Sequence, residues 1–387
     1  MLIFLCILVL TLESSACQAN ASPPPMHAID KDVLKGIESL YDSEFDTAEE
    51  LFREVTLRFP KDPKGYFYLA MVTWSRLTYG FWTGEVVEEY SRRIDKTIRV
   101  AREKIARNEA DCFTYFYLGG ALGFKGRFKL MQRKWASSLF LALDAVEALK
   151  TCKSLDPDNQ DVLLGLGIFD YYTSRLSGLI KFFSYLLITR EGKEEGLRKL
   201  HAAADSAAYS AAEAKSVLLH IYLFMENDYA NALSPARELA LRFPNNHRYK
   251  YLEGLTYLKL NMDLEYDRVL EDFQRMSRGA FSRATAALWA NQVPYLEASR
   301  NLFHGRFSEA RDKLRGIIEK TDPSSDPAMA AWPLLKIGMS YDVEGERERA
   351  LKYYARIMAM ENGAGAQFLA EKYTQEAASD GDPFLGY

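Results

Sequence analysis

Apolar residues recur every three or four positions through most of this chain, the period of one face of an α-helix. Val87, Tyr90, Ile94, Ile98, Ala101 and Ile105 form such a stripe, with Arg, Lys and Glu between them, which predicts one long amphipathic helix over 84–108. Other stripes stop at proline. Leu57-Arg58-Phe59-Pro60 and Leu241-Arg242-Phe243-Pro244 end two of them with the same four letters, and Leu155-Asp156-Pro157 ends a third. Proline has no amide hydrogen and blocks the preceding helical turn, so each is a stop signal. The run Ser177 to Ile188 is apolar nearly throughout, with Lys181 its single cation. It predicts a short helix packed on the rest of the chain, and leaves open a helix that docks a partner or lies on a membrane surface.

The stripes repeat. In residues 331–364, Gly338, Tyr341, Gly345, Ala350 and Tyr354 stand at offsets 8, 11, 15, 20 and 24 of a 34-residue unit. A small residue at offset 8 lets two helices approach. An aromatic at 11 fills the seam, and Gly at 15 permits a tight turn. Ala at 20 marks the closest crossing, and the ring at 24 packs onward. Partial copies follow the same order: Gly36, Phe45, Ala48 and Phe52; Tyr229 and Ala232; Gly305, Phe307 and Ala310. Small residues at offset 8 are Gly36, Ala70, Gly119, Gly167, Gly254, Ala298 and Gly338, with His220 in the remaining unit.

These residues resemble the tetratricopeptide repeat. The resemblance implies an all-α fold of stacked antiparallel helix hairpins forming a right-handed superhelix. The wording Leu118-Gly119-Gly120-Ala121 to Gly126-Arg127, with Gly165 to Tyr172, is also similar to exported bacterial tetratricopeptide proteins of unassigned function. The expected organisation is a signal peptide over 1–21, an extended linker over 22–27, about eight hairpins over 28–375, and a tail over 376–387. Insertions are expected near 84–108, 128–134 and 176–190.

The N-terminus predicts export. Leu2 to Leu12 is apolar except for Thr11, too short to span a bilayer, and Ala19-Asn20-Ala21 is a small-x-small cleavage site. Ser14-Ser15-Ala16-Cys17 resembles a lipobox, in which Cys17 would carry lipid. The expected location is therefore the periplasm or the outer membrane, with attachment through that lipid or through 178–188. Cys112 and Cys152 fall at the start and end of one helix pair, so they predict a disulfide in an oxidising compartment.

Composition narrows the function. The 387 residues carry 49 Lys and Arg against 53 Asp and Glu, for a net charge of −4, with no basic stripe, so nucleic acid is not an expected partner. Cofactor, metal and catalytic constellations are not expected. The five histidines lack zinc spacing, and no phosphate loop, dinucleotide fingerprint or nucleophile elbow is present. Gly119, Gly120, Gly123 and Gly126 are read as close helix approach and a turn.

The resemblance places partner binding on the concave face. Carried over by offset, that face holds Phe67, Met71 and Trp74; Phe113, Phe116, Phe124 and Arg127; and Tyr171, Tyr172 and Arg175. Aromatic rings with a few cations suit a peptide segment. The expected function is a non-catalytic scaffold or adaptor of the cell envelope. The alternative is a carrier for an apolar small molecule or lipid. Oligomeric state is not legible in the sequence.

Overall fold

The computed structural model describes residues 28–78, 83–132, 134–175, 192–279, 283–324 and 326–386. The export segment with Cys17, the linker and the apolar run 178–188 lie outside the described residues.

Seventeen α-helices are present among the described residues, in eight consecutive pairs and a final single helix. The pairs are α1 (Ala28–Tyr41) with α2 (Phe45–Arg58), α3 (Pro63–Thr78) with α4 (Gly84–Ala106), and α5 (Cys112–Met131) with α6 (Trp135–Leu155). They continue with α7 (Val162–Ser174) and α8 (Lys193–Ser206), α9 (Ala211–Phe224) and α10 (Tyr229–Arg242), and α11 (His247–Lys259) and α12 (Asp263–Gly279). The last are α13 (Arg283–Phe303) with α14 (Phe307–Ile318), and α15 (Pro327–Val343) with α16 (Arg347–Met358). Helix α17 (Ala366–Gln375) and a 3₁₀ turn, Pro383–Gly386, follow.

Each helix packs on the next, and odd-numbered helices also meet across hairpins: α1 on α3, α3 on α5, α5 on α7, α7 on α9, α11 on α13 and α15 on α17. The odd helices therefore form the inner layer. Burial follows from that position. In α15 every residue from Pro333 to Asp342 is buried, whereas α16 buries only Ala350, Tyr354 and Ile357. An inner helix touches neighbours on all sides and is apolar all round; an outer helix has one covered stripe. This is an all-α solenoid.

The seam works as offset 8 predicts. A Cβ on Gly338 would lie 2.6 Å from the Tyr354 ring, and one on Gly36 2.5 Å from the Phe52 ring. Each is a glycine sixteen residues ahead of the ring that lies on it. Between the helices the backbone turns through one left-handed residue: Ser43, Asn227, Asn261, Gly305 and Gly345. Five residues later stand Ala48, Ala232, Tyr266, Ala310 and Ala350, all at 0% exposure.

Two expectations need correction. Residues 84–108 are not an insertion: α4 is the outer helix of the second hairpin, packed on α3 and α5. Gly126 is not at a turn. It lies inside α5, where its bare Cα faces the backbone of α6, with Ser138 O 3.3 Å from a built Cβ. The residues expected as an insertion at 128–134 extend α5 to Met131 before α6 begins at Trp135.

A disulfide joins Cys112 and Cys152 across the open end of this hairpin. The chain also closes on itself. The Tyr41 hydroxyl donates to Glu213 at 2.9 Å, and Asn245 donates to Asp42 through its backbone at 2.9 Å and its side chain at 2.8 Å. Asn246 caps α11 with its oxygen and donates its amide to Tyr41 O at 2.7 Å. Arg242 pairs with Glu38. The first hairpin thus docks on the fifth.

Candidate partner-binding surface

The inner layer of the second and third hairpins is an aromatic cluster. Phe67 meets Tyr117 at 5.4 Å and Phe124 at 6.2 Å, and Trp74 meets Phe124 at 5.6 Å and Tyr90 at 5.4 Å. Gly120 leaves room for Phe67, whose ring lies 3.0 Å from where its Cβ would be. The turn before α9 closes over this cluster. Tyr209 packs edge-on to Phe113 at 5.5 Å, and the Lys64 ammonium lies over both rings. Asp161 fastens that turn by accepting from the amides of Ala208, Tyr209 and Ser210.

The consequence for the expected groove is direct. Phe67, Met71, Trp74, Phe116 and Tyr171 are buried, Phe113 and Phe124 half-buried, and Arg127, Tyr172 and Arg175 exposed. Half of the expected contact residues therefore serve the interior: Trp74 packs on Tyr90 and Phe124, Phe67 and Phe116 pack on Tyr117, and Tyr171 bonds Glu226, while Tyr209 covers Phe113. Tyr171 is held by its hydroxyl, which donates to Glu226 at 2.5 Å; Arg175 joins the same carboxylate at 2.9 Å, as does Lys193. Burial and that bond push the Tyr171 hydroxyl well above its ordinary range.

Arg127 is different. Its guanidinium lies 5.3 Å above the Trp74 ring, and no carboxylate pairs with it among the described residues. A second guanidinium, Arg248, also lacks a carboxylate partner among them. Both charges act on His220, whose ring bonds Ser216 O at 2.7 Å. Burial first, then Arg248, pushes His220 down to about 4, so it is neutral at physiological pH. It is a packed histidine on an inner helix. The described residues contain no group of His, Cys, Asp or Glu that could hold a metal ion.

A second inner region was not visible as a site in the sequence. On α15, Lys336 is fully buried. Its ammonium donates to Ser299 Oγ at 3.3 Å and Leu385 O at 3.4 Å, and lies 4.9 Å from the Tyr295 ring centre. None of these partners is charged. Burial, then the nearby charge of Lys259, pushes the ammonium well below the ordinary lysine range. The available signal was a lysine inside the apolar run Leu334-Leu335-Lys336-Ile337.

Two open depressions are found among the described residues. One is lined by Leu351, Met358 and Gln375, the other by Ile98, Arg102 and Lys125. No described helix is long and apolar enough to cross a membrane.

No family model matches the chain, and no curated protein matches it. Among solved structures it is similar to the TPR domain of P58(IPK), with 13% identity over 90% of each chain and a TM-score of 0.24. At that score the two chains do not superpose, and the architecture rests on the contacts above. Those contacts describe a tetratricopeptide-like solenoid: a glycine under a ring, a left-handed turn, and a fully buried residue five positions on, alanine in four of the five cases.

Proposed function

We propose that this chain is a non-catalytic scaffold or adaptor of the bacterial cell envelope, and that it holds a partner segment on the wall formed by Arg127, Tyr172 and Arg175. The observation that carries this is the Arg127 guanidinium, stacked on Trp74 and without a carboxylate partner among the described residues, its charge reaching the exposed Tyr172. A preordered arginine on an aromatic base, next to an exposed tyrosine, is the composition of an interface anchor. It favours a segment that brings a carboxylate and an apolar side chain. Export is part of the proposal, supported by the apolar run Leu2 to Leu12 and by a disulfide of the kind oxidising compartments retain. The carrier alternative would need an enclosed apolar cavity, and the two depressions found among the described residues are open.

The test is photo-crosslinking in cells from Tyr172 and from Arg127, followed by mass spectrometry. One dominant protein captured at both positions and lost in Arg127→Glu supports the adaptor. Lipid, or nothing, at both positions rejects it. Mass analysis of the mature N-terminus separates cleavage after Ala21 from lipidation at Cys17.

A further inference from the structure

The segment after α17 turns back into the inner layer. Ala378 N donates to the buried Asp342 carboxylate at 3.0 Å, an acceptor that also takes the Tyr354 hydroxyl at 2.7 Å. Asp382 accepts from the Tyr373 hydroxyl at 2.6 Å and caps Phe384 N at 3.0 Å. The 3₁₀ turn then lands on three inner helices from three different hairpins: α9, α13 and α15. Phe384 stacks on Phe224 at 5.6 Å and on Trp332 at 6.4 Å, and Leu385 is 3% exposed.

We propose that residues 376–386 are an intramolecular occupant of a docking site. Its exchangeable ligand is a partner segment of the same chemistry, a carboxylate followed by Phe and Leu, that sets a further carboxylate beside Lys336. This goes beyond the Arg127 surface and stands without it.

Three features carry the inference. First, the segment lies across inner helices as a bound peptide would. Its sequence, Asp380-Gly381-Asp382-Pro383-Phe384-Leu385, shows what the site accepts. Asp380 and Asp382 are the carboxylates whose charge reaches Lys259, itself placed 4.9 Å from the Phe303 ring centre. Second, Phe384 is clasped by rings from α9 and α15, a pocket that forms only between hairpins. Third, Lys336 is left with a carbonyl and a hydroxyl where a buried ammonium gains most from a carboxylate. The segment therefore fills the site's shape but gives Lys336 no carboxylate among the described residues. A tethered ligand of that quality holds by effective concentration and yields to a better one.

The experiment uses the full chain and a fluorescent synthetic peptide spanning Ser379 to Gly386, in its own sequence and with Gly386→Asp. The protein is tested as it stands and as the double variant Phe384→Ala, Leu385→Ala, which vacates the pocket. The double variant should bind the peptide about tenfold or more tightly than the unaltered chain does. It should prefer the Gly386→Asp peptide by about tenfold, because the Lys336 amine then meets a carboxylate instead of uncharged acceptors. Adding Lys336→Met should abolish that preference. Equal binding by both proteins, or none by the vacated one, overturns the proposal. Should the double variant fail to fold by circular dichroism, hydrogen exchange on the unaltered chain decides instead. Amides of Ala378, Phe384 and Leu385 exchanging far faster than those of α15 support a displaceable segment; equal protection overturns it.

Discussion

Gly338 and Gly345 show two different reasons for the same residue type. At 338 the helix surface must be bare so that the Tyr354 ring can lie against it. At 345 the space is open, and the backbone sits at φ +78°. Gly338→Ala should cost about 1–3 kcal/mol by overpacking, despite alanine's better helix propensity. Gly345→Ala should cost about 1–2 kcal/mol through the left-handed turn. Urea denaturation separates them when combined with Tyr354→Leu, which should rescue the first and not the second. The histidines set a pH response. Burial, then Arg248, pushes His247 down to about 3, and His220 is pushed to about 4. Both are depressed below the unfolded value near 6.5. The unfolded chain therefore binds more protons as pH falls, and stability present above about pH 6.5 is lost from there down to about pH 4 for His220 and about pH 3 for His247. The slope should approach about 1.4 kcal/mol per pH unit for each histidine. His247→Gln and His220→Gln should each flatten it in denaturation curves taken from pH 7 to pH 4.5.

At the scale of the element, the third hairpin is distinctive. Its two helices, of 20 and 21 residues, are fastened at their open end by Cys112–Cys152. Closing a loop of 40 residues stabilises by about 4 kcal/mol on the chain-entropy argument. Reduction, or Cys112→Ser with Cys152→Ser, should lower the denaturation midpoint by that measure without unfolding the chain at neutral pH. A midpoint insensitive to reductant in the unaltered protein contradicts it. The second hairpin is fastened by charge instead. Glu49 meets Arg53, Arg76 and Arg93, each at 2.6 Å, which links α2, α3 and α4. Burial opposes its ionised form, but the Arg93 and Arg53 hydrogen bonds outweigh that and hold it at about 2. It retains its charge through the window in which the histidines titrate.

At the scale of the whole molecule, contacts between residues 170 to 205 positions apart distinguish this chain from an open array. In an open solenoid each hairpin answers only to its neighbours, and unfolding spreads from the ends. Here Tyr41, Asp42 and Glu38 tie the first hairpin to Glu213 and Arg242 of the fifth and to Asn245 and Asn246, which lead into the sixth. Tyr41 also packs 5.6 Å from the Phe243 ring. Tyr41→Ala should therefore increase hydrogen exchange in α9–α11 as well as in α1. A change confined to α1 and α2 would mean that the closure carries no coupling.

The hairpins were legible in sequence because they are local. A glycine sixteen residues ahead of a ring, a turn residue able to take positive φ, and a proline after a helix end act within one repeat, and each is a property of a short segment. Gly305 and Gly345 were readable as turns, since Gly tolerates the left-handed region; Ser43, Asn227 and Asn261 take the same place in their hairpins, and only the structure showed it. The pairing of Cys112 with Cys152 followed from the same helix bookkeeping. Which inner residues face a partner was not readable. Phe67, Met71, Trp74, Phe116 and Tyr171 carry the offsets of a groove and lie in the core, where groups from elsewhere in the chain meet them: Tyr90 and Phe124 on Trp74, Tyr117 on Phe67, and Glu226 on Tyr171. Lys336 lies in an apolar stretch, and its carbonyl partner, Leu385 O, comes from a segment 49 residues on. Local periodicity determines which face of a helix is covered. What covers it depends on the superhelical path of the whole chain, and that path is a sum of small inter-hairpin rotations that no single repeat encodes.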